Sequence, residues 1–303
     1  MEEGPKKQNS TKQTALLLLF PLLALAIGIW FSRFGVDQPN PPLKVGLVFN
    51  DPLSYCAFGL IESGAPNYEI HSFSSYEELF TAFNEASIDA CLMYAKDLEK
   101  LNPYKARIEA VTSYLNLIAV ENGKTITSLA ELNGDVLLPD SLNSTAELLM
   151  LKKMLRALEV ELRLVFESEA GLLERAAGQE FGIMLVPPSM SAKVIMQNSA
   201  YKSAFSLAKQ WQRLISDTPP AGSVFVVHED TKIDNLRLKS CLASIERSIS
   251  FMASKRKKAA MLIAANGFLE HSDNIRKTIP HCMFVYLEGK AMDRPLEQLG
   301  LLS

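Results

Sequence analysis

The sequence predicts an α/β protein built from two lobes. From residue 43 onward, short apolar runs alternate with longer segments that carry apolar residues at helical spacing, which is the pattern of an α/β fold. The chain has 303 residues, more than one compact core usually holds, so two lobes or two domains are expected. It is 48% hydrophobic and 21% charged, a composition typical of a folded globular protein and not of a disordered, collagen-like or polytopic membrane chain.

The first part of the fold begins with an apolar, β-rich run. Residues 43–49 (LKVGLVF) predict a strand that ends at the turn Asn50-Asp51-Pro52. Ser75 is predicted to cap the helix that follows it, since serine accepts a hydrogen bond from the first helical turn. Further strands are predicted at residues 69–73, 88–94 and 108–120, and helices at residues 54–64 and 75–85.

The second part repeats this alternation. The segment 144–157 places leucines on one stripe, as expected of an amphipathic helix packed on a sheet. Strands are predicted at residues 135–138, 161–166, 181–186 and 223–227, a helical turn at 128–132, and helices at 144–157, 170–177, 191–197, 205–215, 236–265 and 277–287.

The N-terminus carries an apolar run, residues 15–31, that contains no charge. Its length is near the lower limit for a membrane-spanning helix, and the lysines before it favour a cytoplasmic N-terminus. Three interpretations of this run stay open: a cleaved signal peptide, a retained membrane anchor and, as a minor alternative, a buried helix of a soluble protein. Ala24-Leu25-Ala26 has the form of a signal-peptidase site, whereas the apolar residues after it are typical of a retained anchor. Both of the main interpretations export the rest of the chain.

Charge and cysteine content exclude several classes of function. The chain has 31 Lys and Arg against 34 Asp and Glu, so we expect no nucleic-acid partner. The basic run 255–258 is interpreted as a solvated helix face. The four cysteines form no C-x-x-C motif and are accompanied by only four histidines, so we expect no metal and no cofactor. Export would permit disulfides, but buried thiols fit the sequence as well.

Three stretches resemble the type 2 periplasmic binding proteins of ABC transporters, in particular the sulfonate, nitrate and thiamine-pyrimidine group. They are SYEELFTAFNEASIDACLMY (75–94), SLAELNGDVLLPDSLNSTAELLMLKKML (128–155) and LERAAGQEFGIMLV (173–186). Gly182 departs from the family pattern, which has an acidic residue there. The resemblance implies a two-lobed type 2 binding-protein fold. Its parts would be a signal or anchor segment at 1–36, a linker at 37–42, lobe 1 at 43–118 and 217–303, and lobe 2 at 119–216.

Candidate ligand-binding residues follow from the ends of the predicted strands. In open α/β sheets, ligands bind beyond the carboxyl ends of strands, where loops and helix N-termini meet. Several candidates also have a purely structural interpretation: the aromatic rings could pack the core, Asp51 could be an exposed turn carboxylate, and Asn143 or Ser144 could cap a helix. Lys96 is expected to be solvated. The candidates are Phe49, Asn50, Asp51, Tyr94, Ser141, Asn143, Ser144 and Ser189.

These observations predict a binding protein and no catalytic residues. No histidine falls at a predicted cleft-facing strand end, and the chain lacks G-x-S-x-G, H-E-x-x-H and Walker motifs. By resemblance, it would be a monomer that captures a small organic solute between its lobes and passes it to a membrane-embedded ABC permease. Two alternatives remain: a membrane-tethered sensory or scaffold module of the same fold, or a cytoplasmic enzyme of the menaquinone or thiamine-pyrimidine type.

Overall fold

A computed structural model describes residues 41–62, 67–123, 125–231, 235–268 and 271–301. The chain divides into two units, Met1–Pro41 and Pro42–Ser303, and the fold below is that of the second. The predicted signal or anchor segment, residues 1–36, lies outside the described residues. In the part of the chain that the structure describes, no helix has both the length and the apolar character needed to cross a bilayer.

Eleven strands form two sheets within the described residues. The first sheet has the order β11-β4-β10-β3-β1-β2 and the second has the order β7-β6-β8-β5-β9. The strands are β1 Leu43–Val48, β2 Tyr68–Phe73, β3 Ala90–Tyr94, β4 Ala106–Tyr114, β5 Ile118–Asn122, β6 Asp135–Pro139, β7 Arg163–Glu167, β8 Ile183–Val186, β9 Tyr201–Ser206, β10 Ala221–His228 and β11 Phe284–Glu288.

Ten helices cover or connect these sheets in the same residues. They are α1 Phe58–Glu62, α2 Tyr76–Asn84, α3 Ala146–Leu158, α4 Glu169–Gly178, α5 Pro188–Gln197, α6 Leu207–Leu214, α7 Asn235–Ser254, α8 Arg256–Ala265, α9 Ser272–Thr278 and α10 Asp293–Leu299. Short 3-10 turns follow several strands, among them Pro52–Ala57 after β1 and Ala95–Lys100 after β3. The predicted cap is confirmed, because the Ser75 side chain accepts a hydrogen bond from the Glu78 N–H.

We refer to the first sheet with its helices as lobe 1 and to the second sheet with its helices as lobe 2. In lobe 1, β1 is parallel to β2 and β3, while β10 is antiparallel to β3 and β4. In lobe 2, β6 is parallel to β7 and β8, and β5 is antiparallel to β8 and β9. The predicted α/β fold is therefore confirmed. β5 begins at Ile118, so the boundary predicted after that residue falls inside a strand of lobe 2.

The apolar runs of the sequence become strands that are buried on both faces. Helices α7 and α8 pack on one face of the first sheet through residues such as Cys241, Ile245 and Ile263. Leu79 and Phe83 of α2 pack on its other face. Both faces of the second sheet carry a core in the same way. Burying one large apolar side chain contributes roughly 1.5–3 kcal/mol, so these four clusters hold the lobes together.

One predicted helix is wrong in type over most of its length, and a second is confirmed but starts two residues later than predicted. The helix predicted at residues 277–287 is interrupted, because α9 ends at Thr278 and Phe284–Glu288 forms strand β11 beside β4. The helix predicted at 205–215 begins only at Leu207, since Tyr201–Ser206 is strand β9 beside β5. Each of these strands lies at the edge of its sheet. Edge strands lie partly in solvent, so their sequences need not show the apolar pattern of a central strand.

All four cysteines lie in the described residues, are buried and form no disulfide. Burial raises the pKa of the Cys56 and Cys241 thiols to about 12. The open question between disulfides and buried thiols is resolved in favour of thiols.

Candidate functional site

A cavity of about 310 Å³ lies between the two lobes. Lobe 1 contributes the residues that follow β1 and β3, together with part of β4 and β10. Lobe 2 contributes the residues that follow β6 and β8, together with the first turns of α3, α4 and α5. The volume is at the small end of the range for ligand pockets. Its lining includes Asn50, Asp51, Tyr94, Lys96, Ser113, Asn116, Ser141, Glu147, Glu169, Ser189, Lys193, Gly222 and Cys282.

Five of the eight predicted site residues line this cavity. They are Asn50, Asp51, Tyr94, Ser141 and Ser189. Their strands belong to different sheets, and the convergence follows from the rule that loops at the carboxyl ends of strands meet at one edge. The structure brings these five side chains together; what they bind remains a prediction.

The Asp51 side chain is half-buried and stabilises the first residues of the turn that follows β1. Its Oδ1 accepts a hydrogen bond from the Leu53 N–H at 2.7 Å, and its Oδ2 accepts one from the Tyr94 hydroxyl at 2.8 Å. Burial raises the pKa of this carboxyl; the Leu53 amide, Tyr94, Tyr76 and Lys96 act in the opposite direction without cancelling the effect. The interpretation of Asp51 as a freely exposed turn carboxylate is therefore wrong.

Tyr94 lies between this carboxyl and a second aromatic ring. The rings of Tyr94 and Tyr76 have centroids 5.2 Å apart. Burial and the nearby Asp51 carboxyl raise the pKa of both tyrosine hydroxyls well above its ordinary value, so both stay protonated. The buried Tyr76 hydroxyl acts on the same carboxyl group and lowers its pKa, as Tyr94 does. The cavity wall therefore combines a carboxyl group with aromatic surface.

Lys96 and Glu147 form an ion pair that joins the two lobes. Lys96 follows β3, and Glu147 is the second residue of α3 in lobe 2. The lysine Nζ lies 3.1 Å from Oε1 and 3.3 Å from Oε2 of Glu147, and 5.1 Å from the centroid of the Tyr94 ring. Only 8% of the glutamate side chain and 26% of the lysine side chain are exposed. The expectation that Lys96 is solvated is wrong, because it is engaged by groups from both lobes.

A second ion pair lies at the lobe 2 rim of the cavity. Lys193 of α5 approaches Glu169 of α4 with 2.9 Å between Nζ and Oε1. About half of each side chain is exposed, so this pair contributes little to stability. Ser189 stands at the N-terminus of α5, where Pro188 has no N–H and the N–H groups of Met190 and Ser191 already donate to the Pro187 carbonyl oxygen. This rim of the cavity therefore presents the Ser189 hydroxyl as a hydrogen-bond donor, and its two charged side chains neutralise each other.

The formal charges of the lining sum to −1. Three carboxyl groups, those of Asp51, Glu147 and Glu169, face two ammonium groups, those of Lys96 and Lys193, and no arginine lines the cavity. Both lysines already have a carboxylate partner. The cavity is therefore poor in free positive charge.

The hinge between the lobes is organised by Asn116. This residue lies in the first crossing, between β4 and β5, and its Oδ1 accepts hydrogen bonds from the Ser206 hydroxyl at 2.8 Å and the Ala208 N–H at 3.0 Å. Its Nδ2 donates to the carbonyl oxygen of His281 at 2.7 Å. The second crossing lies beside the first, since the Leu115 N–H donates to the Pro220 carbonyl oxygen at 2.8 Å. The lobes are therefore connected by two short, adjacent segments.

Three predicted site residues do not line the cavity. Phe49 stacks on Phe268 with ring centroids 4.8 Å apart and packs against the core of lobe 1. Asn143 and Ser144 are exposed, and Ser144 adopts a left-handed conformation with φ 64°. The interpretation that one of the latter two caps α3 is also wrong. Thr145 occupies that position, and its hydroxyl donates to Leu142 O instead of capping the helix.

Sequence reasoning missed Glu147, Tyr76, Glu169 and Lys193. The sequence could have identified Glu147 as a site residue, because it lies in the first turn of a helix whose N-terminus was expected to face the cleft. Tyr76 begins a helix and does not follow a strand, so the strand-end rule could not find it. The ion pair of Glu169 and Lys193 depends on how α4 and α5 pack, which no local pattern reveals.

Nothing in the described part of the cavity has the form of a catalytic centre. No histidine lines it, and the described residues contain no group of three or more His, Cys, Asp and Glu side chains placed to hold a metal ion. His228 is buried in lobe 1, where its Nδ1 accepts from the Asp230 N–H and its ring lies beside Phe83. The arrangement can bind and orient a small polar molecule.

Comparison with solved structures identifies the fold. The chain is similar to an ABC transporter from Parabacteroides distasonis, with a TM-score of 0.67, 12% identity, and coverage of 85% of this chain and 90% of that chain. It is also similar to the periplasmic aliphatic sulphonate binding protein SsuA from Escherichia coli, with a TM-score of 0.61, 14% identity, and coverage of 86% and 91%.

The periplasmic nitrate-binding protein NrtA from Synechocystis PCC 6803 also matches, with a TM-score of 0.52, 13% identity, and coverage of 83% and 74%. Neither a protein-family model nor a curated protein sequence matches the chain. Residues 43–301 thus have the periplasmic binding-protein fold that the resemblance implied, at sequence identities that establish the fold alone.

Proposed function

We propose that this protein is the solute-binding component of an ABC importer and has no enzymatic activity of its own. It captures a small organic solute between lobe 1 and lobe 2 and passes it to a permease in the membrane. One observation carries the proposal: polar and aromatic side chains from both lobes converge on a single cavity, in a fold shared with binding proteins for sulphonate and nitrate.

The mechanism is closure about the hinge. Two short crossings, joined by the hydrogen bond from the Leu115 N–H to the Pro220 carbonyl oxygen, allow the lobes to rotate as rigid bodies while each core stays intact. A ligand held by Asp51 and Tyr94 of lobe 1 and by Ser141 and Ser189 of lobe 2 favours the closed form, because only that form offers both sets of contacts. The permease would recognise the closed form.

The apolar run at residues 15–31 supports an exported location, with the folded part on the outer side of the membrane. The protein would work as a monomer, either anchored by this run or released after cleavage near Ala26. N-terminal sequencing of the protein from its own cells, together with membrane fractionation, distinguishes the two. A cytosolic chain with an intact N-terminus would contradict export.

Co-purification tests the function directly. The full-length protein, purified from its own cells and examined by native mass spectrometry, should carry a bound small molecule at one per chain. Titration calorimetry after removal of that molecule should show binding without turnover. A bound molecule that is chemically converted would favour an enzyme. Absence of binding across sulfonates, nitrate, pyrimidines, amino acids and amines would reject a transport function and favour a sensory or scaffold module.

A further inference from the structure

We propose that the solute carries a protonated amine, and that Asp51 and the Tyr94 ring hold this group while Glu147 keeps Lys96 engaged. The inference deepens the proposed function, on which it rests, by naming the chemical class of ligand for the same cavity. It departs from the anions named for the sulphonate and nitrate proteins that share the fold.

The first argument is the distribution of charge. Lys96 is bonded to Glu147 and Lys193 to Glu169, so neither ammonium group is available to a ligand without breaking an ion pair. No described cation lies within ion-pair distance of Asp51, which leaves one carboxyl group at the cavity wall without a charged partner. A ligand cation at this place would complete the charge balance.

The second argument is that the cavity already accommodates an ammonium group. The Lys96 Nζ contacts both carboxylate oxygens of Glu147 and lies 5.1 Å from the centroid of the Tyr94 ring. A carboxylate on one side and an aromatic face on the other is the environment that proteins use to bind organic cations. Tyr94 also donates its hydroxyl to Asp51, so the same ring borders the unpaired carboxyl.

The third argument is that the cavity has few groups that could bind an anion. A sulfonate or nitrate needs arginine, free lysine or several converging N–H groups to replace its hydration. The described lining of the cavity contains no arginine, and its net formal charge of −1 disfavours an anion. The remaining donors include the hydroxyls of Ser141 and Ser189, which suit the polar, uncharged part of a solute.

The titration of Asp51 is consistent with this assignment. Burial raises the pKa of its carboxyl because the nearby groups do not offset the loss of solvent. An ammonium ligand beside it would favour the ionised form. Binding should therefore release a proton wherever the free protein holds Asp51 protonated, and the affinity should fall as the pH is lowered through that raised pKa.

The test compares ligands that share one carbon skeleton. 1-Propylamine, 1,3-diaminopropane, 1-propanol and propane-1-sulfonate are titrated into the full-length protein after its native ligand has been removed, with binding followed by NMR and calorimetry. We expect the amines to bind at the cavity, the diamine most tightly, and the sulfonate not to bind. Calorimetry at a series of decreasing pH values, in buffers of different ionisation enthalpy, should show proton release with the amines at the acidic end of the series.

Two variants locate the contact. Asp51→Asn keeps the size of the side chain and an acceptor for Leu53, and it should weaken amine binding at least tenfold; Glu147→Gln should weaken it as well. Asp135→Asn makes the same chemical change at the exposed start of β6 and should leave the affinity unchanged. Melting temperatures of all three variants show whether each one folds.

The outcomes separate the inference from the function on which it rests. Binding of the sulfonate, equal affinity for the alcohol and the amines, or a native ligand without an amine would overturn the amine assignment while leaving a solute-binding protein. Undiminished amine affinity in the Asp51 variant would overturn the role of that carboxyl. If no small molecule of any class binds and none co-purifies, the proposed function itself fails.

Discussion

The Nζ atom of Lys96 lies 3.1 Å from Oε1 of Glu147, and these two atoms belong to different lobes. The pair is largely shielded from water, with 26% and 8% of the two side chains exposed. It therefore adds a direct electrostatic link between the lobes, besides the hinge and the hydrogen bond between Ser203 of lobe 2 and His281 of lobe 1.

Glu147→Gln should favour the open form of the ligand-free protein. Removing one partner of a largely buried pair is destabilising, but Lys96 can turn toward solvent, so we expect a loss of roughly 1–2 kcal/mol in the closed arrangement. Small-angle X-ray scattering should show a larger radius of gyration than in the unaltered protein. Glu169→Gln serves as the control, because that pair lies within lobe 2. An unchanged radius in the Glu147 variant would mean that the pair does not hold the lobes closed.

Gly222→Ala should destabilise lobe 1. Gly222 lies at an irregularity between β10 and β4, where an added Cβ would come within 2.6 Å of the backbone carbonyl atoms of Tyr114. Because backbone cannot rotate away as a side chain can, we expect a cost of about 1–3 kcal/mol, or a fall in melting temperature of about 2–10 °C.

Gly182→Ala is the matched control for this experiment. A Cβ at Gly182 would meet no atom within 4 Å, so its melting temperature should stay within about 2 °C of that of the unaltered protein. Equal effects of the two substitutions in thermal unfolding would contradict the argument from close backbone approach.

His281 should make the protein less stable in acid. Burial and the positive charges of Arg256 and Lys209 lower the pKa of His281 from 6.5 to about 4. Between these values the unfolded chain binds a proton and the folded chain does not, so stability falls as the pH decreases from about 6.5 to about 4, by at most about 1.4 kcal/mol per pH unit.

Urea unfolding at pH 7 and pH 5 measures this effect. The free energy of unfolding should drop more in the unaltered protein than in His281→Gln, whose amide can still hydrogen-bond with Ser203 and which does not titrate. Asp51 contributes with the opposite sign, because its folded pKa is raised, and it does so equally in both proteins. Parallel pH profiles for the two proteins would show that His281 is not the responsible group.

The four thiols should be unreactive in the folded protein. Cys56, Cys91, Cys241 and Cys282 are each no more than 1% exposed, and burial suppresses thiolate formation. With 5,5′-dithiobis(2-nitrobenzoic acid) at pH 8, we expect no rapid reaction until guanidinium is added, and then four thiols per chain. Fewer than four after unfolding without reductant would indicate a disulfide.

The central strands and the cleft residues at their ends were predictable because local pattern and topology agree there. The run 43–49 is apolar except for Lys44 and ends in a turn, so it could be assigned as β1, and Asp51 then follows at the cleft edge. Tyr94 was found in the same way after β3. Neither assignment required knowledge of contacts between distant residues.

The rest of the fold and of the candidate site depends on contacts between residues that are far apart in the sequence, and no local pattern indicates such contacts. Glu147 meets Lys96 across 51 positions of the chain and across two lobes, which only the assembled fold brings about. Phe49 could equally have pointed into the cleft; it turns away because Phe268, more than two hundred residues later, supplies a stacking partner. The sequence FVYLE of β11 contains β-favouring residues, and the Pro280 that precedes it is a helix-breaking signal that could have identified the strand.

The order of strands in the first sheet bears on how the chain folds as it is made. β4 has β10 and β11 as its neighbours, and both are synthesised after all of lobe 2. When β4 emerges, it has no partner strand, and β3 also lacks one of its two neighbours. Lobe 2, although it begins later, is complete by residue 214, so it can form its sheet first. β4 and one edge of β3 stay unpaired until β10 and β11 have been synthesised. During that interval these edges are the part of the nascent chain most exposed to aggregation and most in need of a chaperone.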